Sequence, residues 1–178
     1  GKGRVENKIL FLGRIAPIKN LDVLIKSISL IKDKKIRLEI VGPSEGDCLL
    51  RLKGLVKRLG LDRRVEFTGG IYDLRKKIKK IDSCKIFVLP SKSEAMPQAL
   101  IEAMSRGKIV ISSNNRGSRD LISDGENGYL FSIGDEKKLA EKIDFVLSGK
   151  KIDVGKKAKK FVEQFRWDKV IEKIERLF

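Results

Sequence analysis

Two short stretches of this sequence hold residues of the right type and spacing for chemistry. The first reads Gly13-Arg14-Ile15-Ala16-Pro17-Ile18-Lys19-Asn20. Arg14 and Lys19 bracket a turn that Pro17 stiffens. Arg provides a planar fork of donors and Lys a mobile point charge, so the two together suit a diphosphate. The same residues also read as ordinary surface cations of a cationic chain. The second stretch runs Pro90-Ser91-Lys92-Ser93-Glu94-Ala95-Met96-Pro97-Gln98-Ala99-Leu100-Ile101-Glu102. Glu94 stands just before an expected helix and Glu102 inside it. Eight positions is close to two helical turns, which points both carboxylates to roughly the same side, about 12 Å apart. That exceeds the separation of a glycosidase carboxylate pair, at most ~9.5 Å, and suits the two ends of one extended ligand. Between them, free N–H groups at the helix start, near Met96 and Gln98, favour a phosphate. Glu102 also reads as a solvent-face residue. Its neighbours Leu100, Ile101, Ala103 and Met104 are apolar, however, and a Glu embedded there needs a partner.

The elements that must position these residues follow from hydrophobic periodicity. Lys8–Gly13, Ile36–Gly42, Arg64–Gly69, Lys85–Pro90 and Lys108–Ser112 read as strands, the last two buried on both faces. Between them lie amphipathic helical patterns at Asn20–Lys32, Asp47–Leu59, Leu74–Ile81, Gln98–Ser105 and Asp135–Leu147. Pro97 suits the first helical position of its helix. Strand and helix in alternation predict an α/β fold, a Rossmann-like open parallel sheet with helices on both faces. In such sheets ligands bind beyond the carboxyl ends of the strands, where both charged stretches fall. We expect a single domain over residues 1–178. Its Lys-rich end closes with a helix from Trp167 whose apolar positions are Val170, Ile171, Ile174 and Leu177.

Composition narrows the chemistry. The chain has 178 residues, 40 Lys+Arg against 24 Asp+Glu, and no His, which removes His-based catalysis and most transition-metal sites. Cys48 and Cys84 are too far apart for a C-x-x-C motif and suggest two small buried hydrophobes in a reduced, cytoplasmic protein. No apolar run is long enough to cross a bilayer, and the short polar segment before Lys8 does not read as a signal peptide. The net charge of +16 favours polyanions, acidic membrane surfaces or phosphorylated ligands. Lysines spread over solvent faces account for it equally well. A basic nucleic-acid-binding module would explain the charge but little else. Only 6% of residues are aromatic, and no Arg/Lys stripe is interleaved with stacking rings. The motifs G-x-x-x-x-G-K-[ST] and G-x-G-x-x-G are absent, and so is a D-x-D pair that would chelate a metal on a sugar nucleotide.

The residues carry a resemblance. Gly13-Arg14-x-x-x-x-Lys19, Pro90-Ser91-x-x-Glu94 with seven residues before Glu102, then Gly107, Gly117 and Asp124-Gly125-x-Asn127-Gly128 resemble the C-terminal domain of GT-B-type glycosyltransferases, retaining family 4. The likeness covers the chain from Ile9 to about Leu147. It implies a nucleotide-sugar donor (UDP-, GDP- or ADP-linked), retention of anomeric configuration, and no cofactor or metal. By the same resemblance Gly13, Arg14 and Lys19 would meet the donor diphosphate, and Glu94 would lie by the donor sugar. Glu94, Arg14 and Lys19 would be the catalytic set. Backbone groups around Ala95, Met96, Pro97 and Gln98 would meet sugar and phosphates, Glu102 the ribose, and Ile71 and Tyr72 would flank the base. A sugar-nucleotide epimerase of similar fold is a further possibility, but that group usually relies on His. Three departures stand out. Asn20 follows Lys19 where the family often has Gly. Asp120 ends the Gly117 segment where the family often has Glu. An N-terminal acceptor-binding domain, carried on the same or a separate chain, is not in this sequence. Residues 161–178 resemble the return helices that pack against that half. The acceptor is expected at a membrane surface, with the protein peripheral at the inner face, and no specific nucleic-acid partner is expected. A noncatalytic nucleotide-sugar-binding partner is the remaining alternative.

Overall fold

The structure, a computed structural model, describes residues 6–149 and 153–165. Six strands, β1 (Lys8–Leu12), β2 (Arg37–Val41), β3 (Val65–Thr68), β4 (Ile86–Leu89), β5 (Ile109–Ser113) and β6 (Tyr129–Phe131), form one parallel sheet in the order β3-β2-β1-β4-β5-β6. The two central strands are largely apolar, β1 after its first residue, Lys8, and β4 throughout. Every residue of β4 is buried, as continuous Ile-Phe-Val-Leu requires when helices cover both faces.

The helices are α1 (Leu21–Leu30), α2 (Cys48–Arg58), α3 (Leu74–Ser83), α4 (Gln98–Ser105), α5 (Arg116–Arg119), α6 (Glu136–Leu147) and α7 (Val154–Val162). α1 packs against α2 and α6 on one face, while α4 packs against α7 on the other. α3 joins α4 through a two-pronged Arg106–Asp82 contact at 2.8 and 2.7 Å. Leu21, Leu24, Ile25 and Ile28 form the buried stripe of α1, and Ile31 just beyond it is also buried. α3 differs. Only Ile81 of its ten residues is buried, so polar contacts must hold the rest of it down.

The strand order sets the site. From β1 the chain first moves outward to β2 and β3, then crosses back to β4 on the other side of β1. The loops after β1 and β4 therefore part in opposite directions and leave a crevice between them. Gly42, at the end of β2, shows how closely the strand ends approach. A Cβ there would lie 1.8 Å from the Gly13 carbonyl oxygen.

Some details depart from the sequence pattern. β6 and α5 are too short, at three and four residues, to give a periodic signal. Pro97 is the N-cap of α4, not its first helical residue, and its ψ of 87° is not helical. Glu94 therefore lies in a loop four residues before the helix begins, and the two-turn spacing to Glu102 does not hold. Phe161 belongs to α7, and residues 166–178, with Trp167, Val170, Ile171, Ile174 and Leu177, lie outside the described residues.

Candidate anion cleft at the carboxyl ends of β1 and β4

The loop after β1 ends in a 3₁₀ turn, Pro17–Lys19, started by Pro17. Asn20 closes it with φ 54°, and it is the one non-glycine residue with positive φ among the described residues. A left-handed backbone explains why Gly or Asn is suited to the position, since other side chains clash there. Lys19 is turned back across the crevice. Its Nζ lies 2.7 Å from Glu94 Oε1, and both side chains are largely buried. The Lys92 backbone N–H donates to the Ile18 carbonyl at 2.9 Å. The loops after β1 and β4, which carry the paired residues 75 positions apart, are thus joined twice.

The loop holding Glu94 is braced from the far side by the segment after β5. Ser113 Oγ and Asn115 Nδ2 donate to the Ser91 carbonyl, the latter at 3.2 Å. Asn115 also caps α5, accepting from the Ser118 N–H at 3.1 Å. The Gly117 N–H donates to the Glu94 carbonyl at 3.1 Å. A Cβ on Gly117 would stand 2.6 Å from that oxygen and 2.8 Å from the Ala95 carbonyl. Contact this close leaves room only for glycine.

Arg14 and Glu102 are partnered elsewhere. Arg14 is mostly exposed, and its Nη1 donates to Glu45 Oε1 at 2.7 Å, from the loop after β2. Glu102 accepts from Lys77 Nζ of α3 at 2.6 Å, and its second oxygen, Oε2, is buried with no hydrogen-bond partner. The partner that the apolar setting of Glu102 called for is therefore Lys77, not a cation of the first loop. No side chain caps the start of α4. Near it Ala95, Met96 and Gln98 are exposed and Pro97 is buried. In the loop after β3, Ile71 packs partly on the core, while Tyr72 is exposed before α3. Both basic side chains of the first loop are thus paired with carboxylates, and the start of α4, which no side chain caps, is the feature that by itself favours an anion.

A model of the family described as Glycosyl transferases group 1 matches residues 2–167. The chain belongs to this family. It is 33% identical over 145 residues to the GalNAc-alpha-(1->4)-GalNAc-alpha-(1->3)-diNAcBac-PP-undecaprenol alpha-1,4-N-acetyl-D-galactosaminyltransferase of Campylobacter jejuni, a match covering 80% of this chain and 39% of that protein. The crystal structure of Anabaena HepE in complex with UDP and glucose is similar in fold, with a TM-score of 0.86 at 23% identity over 97% of this chain and 48% of that one. The crystallised C-terminal domain of a glycosyl transferase group 1 family protein, LpcC from Francisella tularensis, gives a TM-score of 0.81 at 25% identity, covering 90% of this chain and 86% of that one. The chain spans about a third to a half of the length of the curated relatives it matches. It is a GT-B-type C-terminal domain by fold.

Not every group 1 motif residue belongs to the crevice. Asp124-Gly125-x-Asn127-Gly128 builds the turn into β6. Asp124 accepts from the Leu130 N–H at 2.8 Å, and Asn127 is buried and bonded to Ser123 and Leu121. Asp120 is exposed at the end of α5. Glu45, Lys77, Ser113 and Asn115 escaped the sequence reading. For Asn115 there was a signal, an Asn three residues before Ser118 just past a strand, which is a helix-cap pattern. For Lys77, one of several lysines in α3, there was none.

Proposed function

We propose that this chain is the donor-binding half of a retaining glycosyltransferase, which takes a sugar from a UDP-, GDP- or ADP-linked donor to an acceptor held by an N-terminal half. The observation that carries the reading is the Lys19–Glu94 contact across the crevice between β1 and β4. It brings one member of each charged stretch to the place where an open parallel sheet receives ligands. In this reading Arg14 and Lys19 take the diphosphate, giving up their carboxylate partners for phosphate oxygens. Glu94, freed from Lys19, accepts from the hydroxyls of the donor sugar. Glu102 accepts from the ribose, and the loop with Ile71 and Tyr72 lies against the base.

The demanding step is departure of the nucleoside diphosphate. Charge develops on its terminal oxygens as the glycosidic bond breaks. Two cations and the start of α4 meet that charge once Arg14 and Lys19 have exchanged their carboxylate partners for the phosphate oxygens. They supply the positive field for which other transferases use a metal, and metal independence is part of the proposal. The lipid diphosphate in the name of the Campylobacter relative supports an acceptor presented at a membrane surface, with this protein on the cytoplasmic side. The strongly positive chain is compatible with that setting.

The test is a thermal-shift panel of UDP-, GDP- and ADP-sugars, followed by calorimetry on Arg14→Ala and Glu102→Ala. One nucleotide class should stabilise the chain, and both variants should weaken its binding. Unchanged affinity in both variants rejects the site. Efficient sugar transfer by these 178 residues alone would reject the division of labour between two halves.

A further inference from the structure

We propose that Lys77 is the positioning residue for the ribose-binding carboxylate, holding Glu102 in its receptive rotamer and coupling α3 to nucleotide recognition. The inference rests on the reading of Glu102 given above and goes beyond it to a residue on a different helix.

The geometry is specific. Lys77 Nζ donates to Glu102 Oε1 at 2.6 Å, and the two side chains are only about a quarter and a third exposed, at 25% and 36%. Lys76 and Lys79, on either side in α3, are exposed. Lys77 and Lys80 lie three residues apart, on the stripe of α3 that turns inward. Lys80 reaches Glu39 of β2, while Lys77 reaches Glu102 of α4. A carboxylate accepts about four hydrogen bonds. At Glu102 the lysine occupies Oε1, and Oε2 is shielded from water with no partner. A buried acceptor left open is costly unless something fills it. A pair of adjacent hydroxyls on a ribose would fill it once the carboxylate pivots about its terminal bond, a soft two-fold rotation. The flexible Lys77 ammonium follows Oε1 through that rotation and keeps its bond while Oε2 comes round to the ligand. Without it, Glu102 is a flexible chain on a half-open helix face, and the ligand must order it.

The second half of the inference concerns α3. Its one buried residue, Ile81, lies near its C-terminal end. At the N-terminal end Leu74 and Tyr72 are exposed, and the Asp73 cap bonds only within the helix, to the Lys76 N–H at 2.7 Å. The Lys77–Glu102 pair is therefore the side-chain tie between the start of α3 and α4 among the described residues. Arg106–Asp82 joins the far end of α3 to α4, so the Lys77–Glu102 pair is the tie nearer the 69–73 loop, which in this reading lies against the base.

The experiment uses the 178-residue chain and whichever of UDP, GDP or ADP stabilises it most, with the 2′-deoxy form of that nucleotide. Calorimetry gives both affinities for the parent, Lys77→Met, Lys77→Arg, Glu102→Gln and the Lys77→Met/Glu102→Gln pair. The parent should prefer the ribonucleotide by roughly tenfold, the scale of one hydrogen bond to a charged group. Lys77→Met should bring that preference to within about twofold, Lys77→Arg should restore most of it, and the double variant should bind no worse than Glu102→Gln alone. A Lys77→Met chain that melts earlier yet keeps the full 2′-hydroxyl preference overturns the inference and leaves the ribose role of Glu102 standing. If Glu102→Gln keeps the preference, or no diphosphate binds, the ribose reading itself fails and Lys77 falls with it.

Discussion

Glu39 and Glu94 are both carboxylates held by lysines, and the contrast between them separates structure from site. Glu39 sits in the middle of β2, 2% exposed. Lys80 Nζ bonds to its Oε1, Thr68 donates to the same oxygen at 3.0 Å, and Lys8 Nζ lies 2.8 Å from Oε2 as an ion pair. Burial pushes the acid up, but the bonds from Lys8, Lys80 and Thr68 more than offset it and hold the carboxyl below its ordinary value. Glu94, though largely buried, has one cation, Lys19, and among the described residues no second side chain donates a hydrogen bond to its carboxylate. Glu102 likewise has one cation and an open oxygen. A carboxylate walled in by donors contributes to the fold. One that is held on one side only can exchange that partner for a ligand.

The largest way to break this contrast is Glu39→Ala. It strands Lys8 and Lys80 in a covered setting and should cost about 3–5 kcal/mol in urea unfolding. Nucleotide affinity of the folded fraction should not move. The pH dependence sharpens it. Because the folded value is lowered, the stabilisation from Glu39 is present above its ordinary value near 4.5 and is lost as pH falls through the folded value. Acid titration of stability should show that slope in the parent and a flatter one in Glu39→Gln.

Gly117→Ala attacks the crevice from behind. The added methyl meets the Glu94 carbonyl at 2.6 Å, so the loop must move. We expect a loss of about 1–3 kcal/mol on thermal melting, together with weaker nucleotide binding. Equal binding in the variant would show that the Glu94 loop is not held in place by this contact. Lys19→Ala and Arg14→Ala should both lower nucleotide affinity, which Glu39→Ala leaves unchanged. Each removes a charge-assisted contact, costing about 1.5–3 kcal/mol of nucleotide affinity by calorimetry. The stability cost of Arg14→Ala should stay at about 1 kcal/mol or below, since its pair with Glu45 is exposed, while Lys19→Ala leaves the largely buried Glu94 unpaired and should cost more.

Two smaller effects complete the series. Asn20→Gly should be neutral or slightly stabilising, because it relieves a left-handed side chain and removes an amide whose Nδ2 is buried without a partner. Asn20→Ala should cost about 1–2 kcal/mol in the same melt. Cys84 is buried and free, its thiol pushed up to about 12 by burial. It should resist alkylation at pH 8 in the folded chain and react on unfolding. Its protonated form contributes stability below about pH 9.0, and that contribution fades as pH rises toward 12.

Much of this was legible in the residues. The five longest strands and the stripe of α1 follow from period-two and period-3.6 patterns, which depend only on neighbours a few positions away; in α2 the pattern includes Leu50, which the structure leaves exposed. The charged stretches with Arg14, Lys19, Glu94 and Glu102 stood out in the sequence, but of these four the structure pairs only Lys19 with Glu94. The two-turn distance between Glu94 and Glu102 was not legible, because it treated a loop as helix. Pro97 starts α4 later than a continuous helix would, and nothing in the spacing alone marks where the first turn closes.

The sequence by itself determined the alternation of elements, the parallel sheet and the identity of the charged residues, because side-chain periodicity and turn chemistry act locally. The tertiary structure alone decided the partners: Lys19 with Glu94, Arg14 with Glu45, Lys77 with Glu102, and Lys8 and Lys80 with Glu39. Forty basic residues offer each carboxylate many candidates along the chain. Coulomb attraction has no sequence register, so the choice falls to the strand order that brings two distant loops to one edge of the sheet.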